Sequence, residues 1–117
     1  MRVVVSVESM AVARQFEQSS CLTVYTVTNG IITACQSFPN PGSPYESLAQ
    51  SLHALGATIL LVGSINADTA EAFRNAGIEV IEGVAGTARQ AVDEYLTRTL
   101  FDAEGFRADD ADSLDGE

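Results

Sequence analysis

The chain has 117 residues, 46% of them hydrophobic, which suits one compact α/β domain and leaves little room for a second. No apolar run approaches the roughly 20 residues that cross a bilayer, and the sequence beginning MRVVV lacks signal-peptide features, so we predict a cytoplasmic protein without membrane contact. The net charge of −10, with no lysine and no basic cluster, argues against a nucleic-acid partner.

The negative charge is concentrated at the carboxyl end. Residues 101–117 hold seven acids against one arginine, a net charge of −6, whereas the preceding hundred residues hold nine acids and five arginines, a net charge of −4. We therefore divide the chain into a domain over residues 1–100 and an acidic tail over residues 101–117. We expect the tail to be mobile and solvated; the alternative is a tail that docks on a partner.

The first part of the chain predicts three strands. Residues 2–7 are short and β-branched, as in a central strand, and residues 8–20 form a polar loop with room for one helical turn. Two further strands, residues 22–27 and 31–38, flank Asn29-Gly30. Asn-Gly between such runs indicates a type I′ hairpin, because both central residues of that turn need a positive φ.

The second part predicts a βαβα unit after a proline-rich loop at residues 39–44. A helix over residues 45–55 ends at Gly56, and a buried strand follows at 59–62. The next helix stops at Gly77, a strand covers 78–81, and a last helix starts at 88 and loses its apolar periodicity after Leu100. One mixed five-stranded sheet with three helices on its faces accounts for this order.

The sheet predicts where a ligand would bind. The strands ending at residues 7, 62 and 81 are parallel, so four loops converge at their carboxyl ends: 8–20, 38–44, 63–68 and 83–87. Ligands of open α/β sheets bind at this edge, and two of the loops open helices whose N–H groups favour anions. The candidate binding residues are small or polar: Gly63, Ser64, Asn66, Gly86 and Thr87. The alternative is that they serve only turns and helix caps.

The two cysteines and the one histidine give little sign of chemistry. Counting back from the predicted turn, Cys35 should lie opposite Val24 and Cys21 opposite Phe38. Their side chains would then point to opposite faces, about 10 Å apart along the strands, which excludes a disulfide or a shared metal site. We expect buried, inert thiols, with Cys21 the better candidate for a functional one. His53 should be a solvated surface residue.

Several phrases of the sequence resemble the dinitrogenase iron–molybdenum cofactor biosynthesis family. They are the hairpin at residues 22–32, LAQSLHALGATILLVGSI at 48–65, AFRNAGIEVIEG at 72–83 and GTARQAVDEYL at 86–96. The resemblance implies a ribonuclease-H-like sheet of order 3-2-1-4-5 with strand 2 antiparallel. It also implies a role in carrying metal–sulfur cofactors or in binding nitrogenase-related proteins.

The sequence departs from the family at one point. Members commonly carry a His-Phe-Gly phrase before the second strand, and the resemblance implies that its histidine contacts the cluster, whereas this chain has Gln15-Phe16-Glu17. An amide is a weaker metal ligand than an imidazole, and the charge of Glu17 opposes the binding of an anionic cluster.

Three functions follow as hypotheses. The first is a non-catalytic accessory domain that binds an anionic iron–sulfur or molybdenum-containing precursor non-covalently, with metalloproteins or cofactor-assembly proteins as partners. The second is an interaction or regulatory domain that binds no cofactor. The third, a metal-dependent nuclease, lacks the carboxylates that such enzymes gather at the strand ends, since only Glu8 is suitably placed. We do not expect an enzyme.

Overall fold

A computed structural model describes residues 1–42 and 44–103. It contains six strands, β1 to β6, three α-helices, α1 to α3, and one short 3-10 helix. In chain order these are β1 Arg2–Glu8, β2 Ala11–Val12, the 3-10 helix Phe16–Gln18, β3 Cys21–Thr28, β4 Ile31–Pro39, α1 Tyr45–Ala54, β5 Ala57–Leu61, α2 Ala67–Asn75, β6 Glu79–Ile81 and α3 Ala88–Ala103. The α/β class predicted from the sequence is confirmed.

The sheet is mixed and open. Its strand order is β4-β3-β1-β5-β6, with β2 paired to β1 off this path. The pairs β1–β5 and β5–β6 are parallel, whereas β3 is antiparallel to both β1 and β4. The prediction of five strands in the order 3-2-1-4-5 therefore needs correction, because β2 adds a sixth strand inside the segment predicted to be a loop.

Two apolar cores lie on the two faces of the sheet. One face carries Val3, Val5 and Val7 against the buried side of α3, and the other carries Val4 against α1 and α2. Strand β1 is buried on both faces because helices cover both, which is why it carries valines on both faces. Glycines at positions 56 and 77 follow α1 and α2 with φ of +89° and +90°, as predicted for helix stops.

The hairpin forms as predicted at its turn, but its register differs. Asn29 and Gly30 have φ of +54° and +79°, and Thr28 pairs with Ile31. A β-bulge between Thr26 and Val27 then shifts the pairing by one residue. A bulge inserts an extra residue on one strand, so every pair beyond it differs from the count made from the turn.

The acidic tail is only partly described. Helix α3 continues to Ala103, beyond the predicted end of periodicity at Leu100. Residues 104–117 lie outside the described part of the chain, so the division into a domain and a tail stays a prediction. Within the described residues, no helix is long and apolar enough to cross a membrane.

Candidate functional site

The carboxyl edge of the sheet, where β1, β5 and β6 end, is built around the segment 11–16. At one end of this segment, Val12 donates its backbone N–H to the Gly86 carbonyl at 2.8 Å. At the other end, the Phe16 N–H donates to the Ser64 carbonyl at 2.8 Å, and the Ser64 N–H and hydroxyl both donate to the Arg14 carbonyl at 2.9 Å. The segment therefore bridges the two glycine-bearing loops.

The remaining predicted loop reaches the same edge. The side-chain amide of Asn40 donates to the carbonyls of Phe16 and Ser19, both at 3.3 Å. The Gly83 N–H donates to the Gly63 carbonyl at 2.8 Å, which joins the loops that follow β5 and β6. The predicted convergence of four loops is confirmed by these bonds.

Gly63 and Ser64 are engaged by the protein itself. A methyl group added at Gly63 would lie 2.6 Å from the Ala13 carbonyl oxygen and 2.7 Å from that of Arg14. Glycine is needed at this position because backbone packs directly against it. The close approach that the sequence suggested for a ligand is thus made by the segment 11–16.

The start of α2 is also occupied by a side chain. The backbone N–H of Asn66 donates to Glu17 Oε2 at 3.0 Å, while the Asn66 side chain makes no capping bond. Glu17 Oε1 is buried and has no hydrogen-bond partner in the described structure. A carboxylate beside a helix N-terminus is stabilised by the helix dipole, so Glu17 stands where an external anion would be expected.

The start of α3 is closed by a capping box. Thr87 Oγ1 accepts the Gln90 N–H at 3.1 Å, and Gln90 Oε1 accepts the Thr87 N–H at 3.1 Å. Gly86 has a φ of +95° and accepts the bond from Val12. The structure therefore brings Gly63 with Ser64, and Gly86 with Thr87, to the two ends of segment 11–16, with most of their polar groups already paired.

An open groove of about 460 Å³ lies beside the same segment. Its lining is Glu8, Ala11, Val12, Ala13, Arg14, Gln15 and Gln18. Arg14 is exposed and takes part in neither of the two ion pairs of the described residues, Arg74–Glu82 and Arg89–Asp93. Arg14 was not among the predicted site residues; a lone arginine within a loop predicted to reach the ligand edge was the available signal.

The cysteines are placed differently from the prediction. Because of the bulge, Cys35 pairs with Tyr25 and Cys21 with Pro39, so both side chains lie on the face that α3 covers. They are four residues apart along β3, roughly 13 Å, and both are free thiols. Cys35 is exposed and Cys21 half-buried, so the expectation of buried thiols was wrong. A strand at the edge of a sheet has little to cover it.

The other candidate groups are scattered. His53 is exposed on α1, beside Gly77, at the end of the molecule away from the carboxyl edge. Within residues 1–42 and 44–103, no three side chains of the metal-binding types cluster closely enough to hold an ion.

Comparisons with known proteins agree with this architecture. PH0822 is 22% identical over 84% of this chain and 90% of its own, with a TM-score of 0.75. A Methanocaldococcus jannaschii protein, provisionally assigned as a dinitrogenase, is 13% identical over 84% of this chain and 89% of its own, with a TM-score of 0.70. Both similarities concern the fold alone.

The apo form of the orange protein from Desulfovibrio gigas is 25% identical over 83% of this chain and 88% of its own, with a TM-score of 0.66. No curated protein matches the sequence. A family model described as dinitrogenase iron-molybdenum cofactor matches residues 1–98, which is most of the chain. The chain therefore belongs to the dinitrogenase iron–molybdenum cofactor family.

Proposed function

We propose that this protein is a small accessory domain of cofactor assembly that binds or carries an anionic metal–sulfur precursor at the carboxyl edge, without catalysing a reaction. The observation that carries the proposal is the family match over residues 1–98. The precursor is cargo, and metalloproteins or other assembly proteins are its donors and acceptors.

The groove along segment 11–16 is the proposed binding site of the precursor. Arg14 supplies a positive charge at its exposed side, and the amides of Gln15 and Gln18 add hydrogen-bond donors. Glu8 lines the same groove and lowers its attraction for anions. Four of the predicted residues have an indirect role in this proposal, because they hold segment 11–16 in place. They are Gly63, Ser64, Gly86 and Thr87.

Asn66 has a more direct role in the proposal. Its N–H is held by Glu17, so a precursor that reached this helix start would have to displace a carboxylate. Glu17 therefore weakens binding of an anion, and its neutral variant should bind more tightly. Each helix-end charge interaction is worth about 0.3–1 kcal/mol, which is roughly a two- to fivefold change in affinity.

The alternative is an interaction domain without a cofactor. Two points favour it. The resemblance implies a histidine where this chain has Gln15, and the N–H groups of Asn66 and Thr87 already have internal acceptors. In that case the carboxyl edge would be a preformed surface to which another protein binds.

Titration with tetrathiomolybdate under anaerobic conditions, followed by amide chemical shifts, separates the two functions. We expect saturable shifts along segment 11–16, tighter binding by Glu17→Gln and weaker binding by Arg14→Gln. Arg74→Gln is the matched control, because Arg74 lies on α2 and is paired with Glu82. No saturable shift with tetrathiomolybdate or a reconstituted iron–sulfur species, or equal losses in both arginine variants, would refute cofactor binding at this groove.

A further inference from the structure

The outer edge of β4 has no strand beside it in the described structure. β4 is the terminal strand of the sheet, and seven of its nine residues are exposed, whereas Ile32 and Phe38 are partly buried. Unpaired strand edges offer a row of free N–H and C=O groups to another strand, and proteins usually protect them.

The hydrogen-bond pattern shows which groups of β4 point outward. The Asn40 N–H donates to the Ser20 carbonyl at 3.0 Å, which makes Ser20 and Asn40 a hydrogen-bonded pair. Such pairs recur every second residue in an antiparallel ladder, so Phe38 and Gln36 also bond inward to β3. The backbone groups of Cys35 and Ser37, the residues on either side of Gln36, therefore point away from β3 toward the open edge.

The usual protection by charge is missing from this edge. Residues 18–45 contain no acid, lysine, arginine or histidine, although 19% of the whole chain is charged. Only the bulge near one end and Pro39 at the other limit the pairing of β4. The open segment is therefore 34–38, centred on Gln36.

We propose that two copies of this chain associate by antiparallel pairing of this segment across a two-fold axis at Gln36. In that register Cys35 lies opposite Ser37 of the second copy, and the backbone groups of both face the seam. Gln36 lies opposite Gln36 of the second copy, as a pair without backbone hydrogen bonds. The inference stands on β4 and is independent of the proposed cofactor function.

Side chains on the α1 face of β4 fit this register. Phe38 would lie opposite Ala34 of the second copy, so a large side chain meets a small one. Beside Ala34 is an open groove of about 370 Å³, whose lining includes Val24, Leu55 and Phe38. Leu55 is 49% exposed in the single chain, and an aromatic ring from the second copy would cover it.

The charge distribution identifies the second copy as the occupant. Two chains of net charge −10 repel one another in most relative orientations, but contact through the uncharged edges of β4 brings few charges together. A basic partner would be drawn to the acidic surfaces instead. A strongly acidic partner would find only Arg2 along the groove. An uncharged edge strand is complementary to another uncharged edge strand, and the chain itself supplies one.

Sedimentation of the full chain over a wide concentration range tests the pairing. We expect reversible dimerisation of the wild type. Gln36→Asp and Gln36→Lys, which each place like charges opposite one another, should weaken it at least tenfold. An equimolar mixture of these two variants should restore dimers. Thr97→Asp, which adds a charge on exposed α3, is the control and should associate like the wild type.

The outcomes decide the proposal. A wild type that stays monomeric throughout, or a Gln36→Asp variant that dimerises like the wild type, would overturn it. If the Gln36 charge variants fail to fold by circular dichroism, cross-linking replaces them. In a background without Cys21 and Cys35, Gln36→Cys should then form a disulfide-linked dimer readily. If Gln36→Cys forms no such dimer under conditions in which Thr97→Cys does, the pairing is also overturned.

Discussion

Single residues at the carboxyl edge show how closely the chain is packed against itself. Gly63 does not have a positive φ, so glycine is required there for space: the carbonyls of Ala13 and Arg14 occupy the volume of a side chain. Gly83 is the opposite case, with a φ of +80° and open space around it. The two glycines allow steric and conformational costs to be measured separately.

Gly63→Ala should destabilise the protein by about 1–3 kcal/mol, because segment 11–16 must move away from the new methyl group. Gly83→Ala should cost only about 1 kcal/mol, the penalty of a left-handed backbone with a Cβ. Urea unfolding of both variants measures the difference. Equal costs would show that the segment yields easily and that Gly63 is not held by it.

Tyr25 provides a residue-scale test of pH dependence. Burial raises the pKa of its hydroxyl above the ordinary 10.0, and the nearby Cys35 adds to the rise, while Arg89 opposes it. The folded state therefore retains the phenolic proton more strongly than the unfolded state. This contribution to stability is complete below the unfolded pKa and is lost as the pH rises through the folded pKa.

We expect the denaturant midpoint of the wild type to fall above about pH 10 more steeply than that of Tyr25→Phe, which has no proton to lose. Below that pH the two midpoints should run parallel. The difference in tyrosinate absorbance between the wild type and Tyr25→Phe during the same titration identifies the group among the three tyrosines. Parallel midpoints across the alkaline range would contradict the assignment to Tyr25.

At the scale of elements, the sequence predicted what local patterns determine. Asn29-Gly30 indicated a type I′ turn because its residues tolerate positive φ, and the turn is present. The turn between β1 and β2 uses Ser9 and Met10, also at positive φ, and these residue types carry no such signal. Strand β2 was missed for that reason, and because two residues are too few for a periodic pattern.

The predicted register of β3 and β4 was wrong for a different reason. The bulge near Thr26 has no marker in the local sequence, yet it moves Cys35 from Val24 to Tyr25. The contact between Glu17 and Asn66 likewise joins residues far apart in the chain. The candidate site was predictable as an edge where loops meet, whereas the pairing of its polar groups depended on such long-range contacts.

The hairpin turn itself can be tested with one change. Gly30→Val forces a β-branched residue to a φ near +79° and should cost about 1–3 kcal/mol in urea unfolding. Thr28→Val is the control, since Thr28 is an exposed strand residue beside the turn and should change stability by less than about 0.5 kcal/mol. A Gly30→Val variant as stable as the control would mean that the turn relaxes at little cost.

At the scale of the whole molecule, most of the net negative charge and the two hydrophobic cores belong to different parts of the chain. The sheet, α1, α2 and the first part of α3 hold the two cores, and Leu96 is the last core residue within the described part of the chain. The strongest negative charge follows later, in residues 101–117. Residues 1–100 are therefore only mildly acidic, and the two proposed surfaces, the carboxyl edge and the outer edge of β4, carry little net charge of their own.

Deletion of residues 104–117 should therefore leave the domain folded. The deleted segment holds six acids and one arginine, so the remaining chain has a net charge of −5 in place of −10. We expect the free energy of unfolding to change by less than about 0.5 kcal/mol at high salt, because a strongly charged terminal segment with few apolar residues contributes little to stability. At low salt, weaker repulsion should make the shortened chain equal to or more stable than the full one. A loss above about 2 kcal/mol at both salt concentrations would show that the acidic segment packs on the domain.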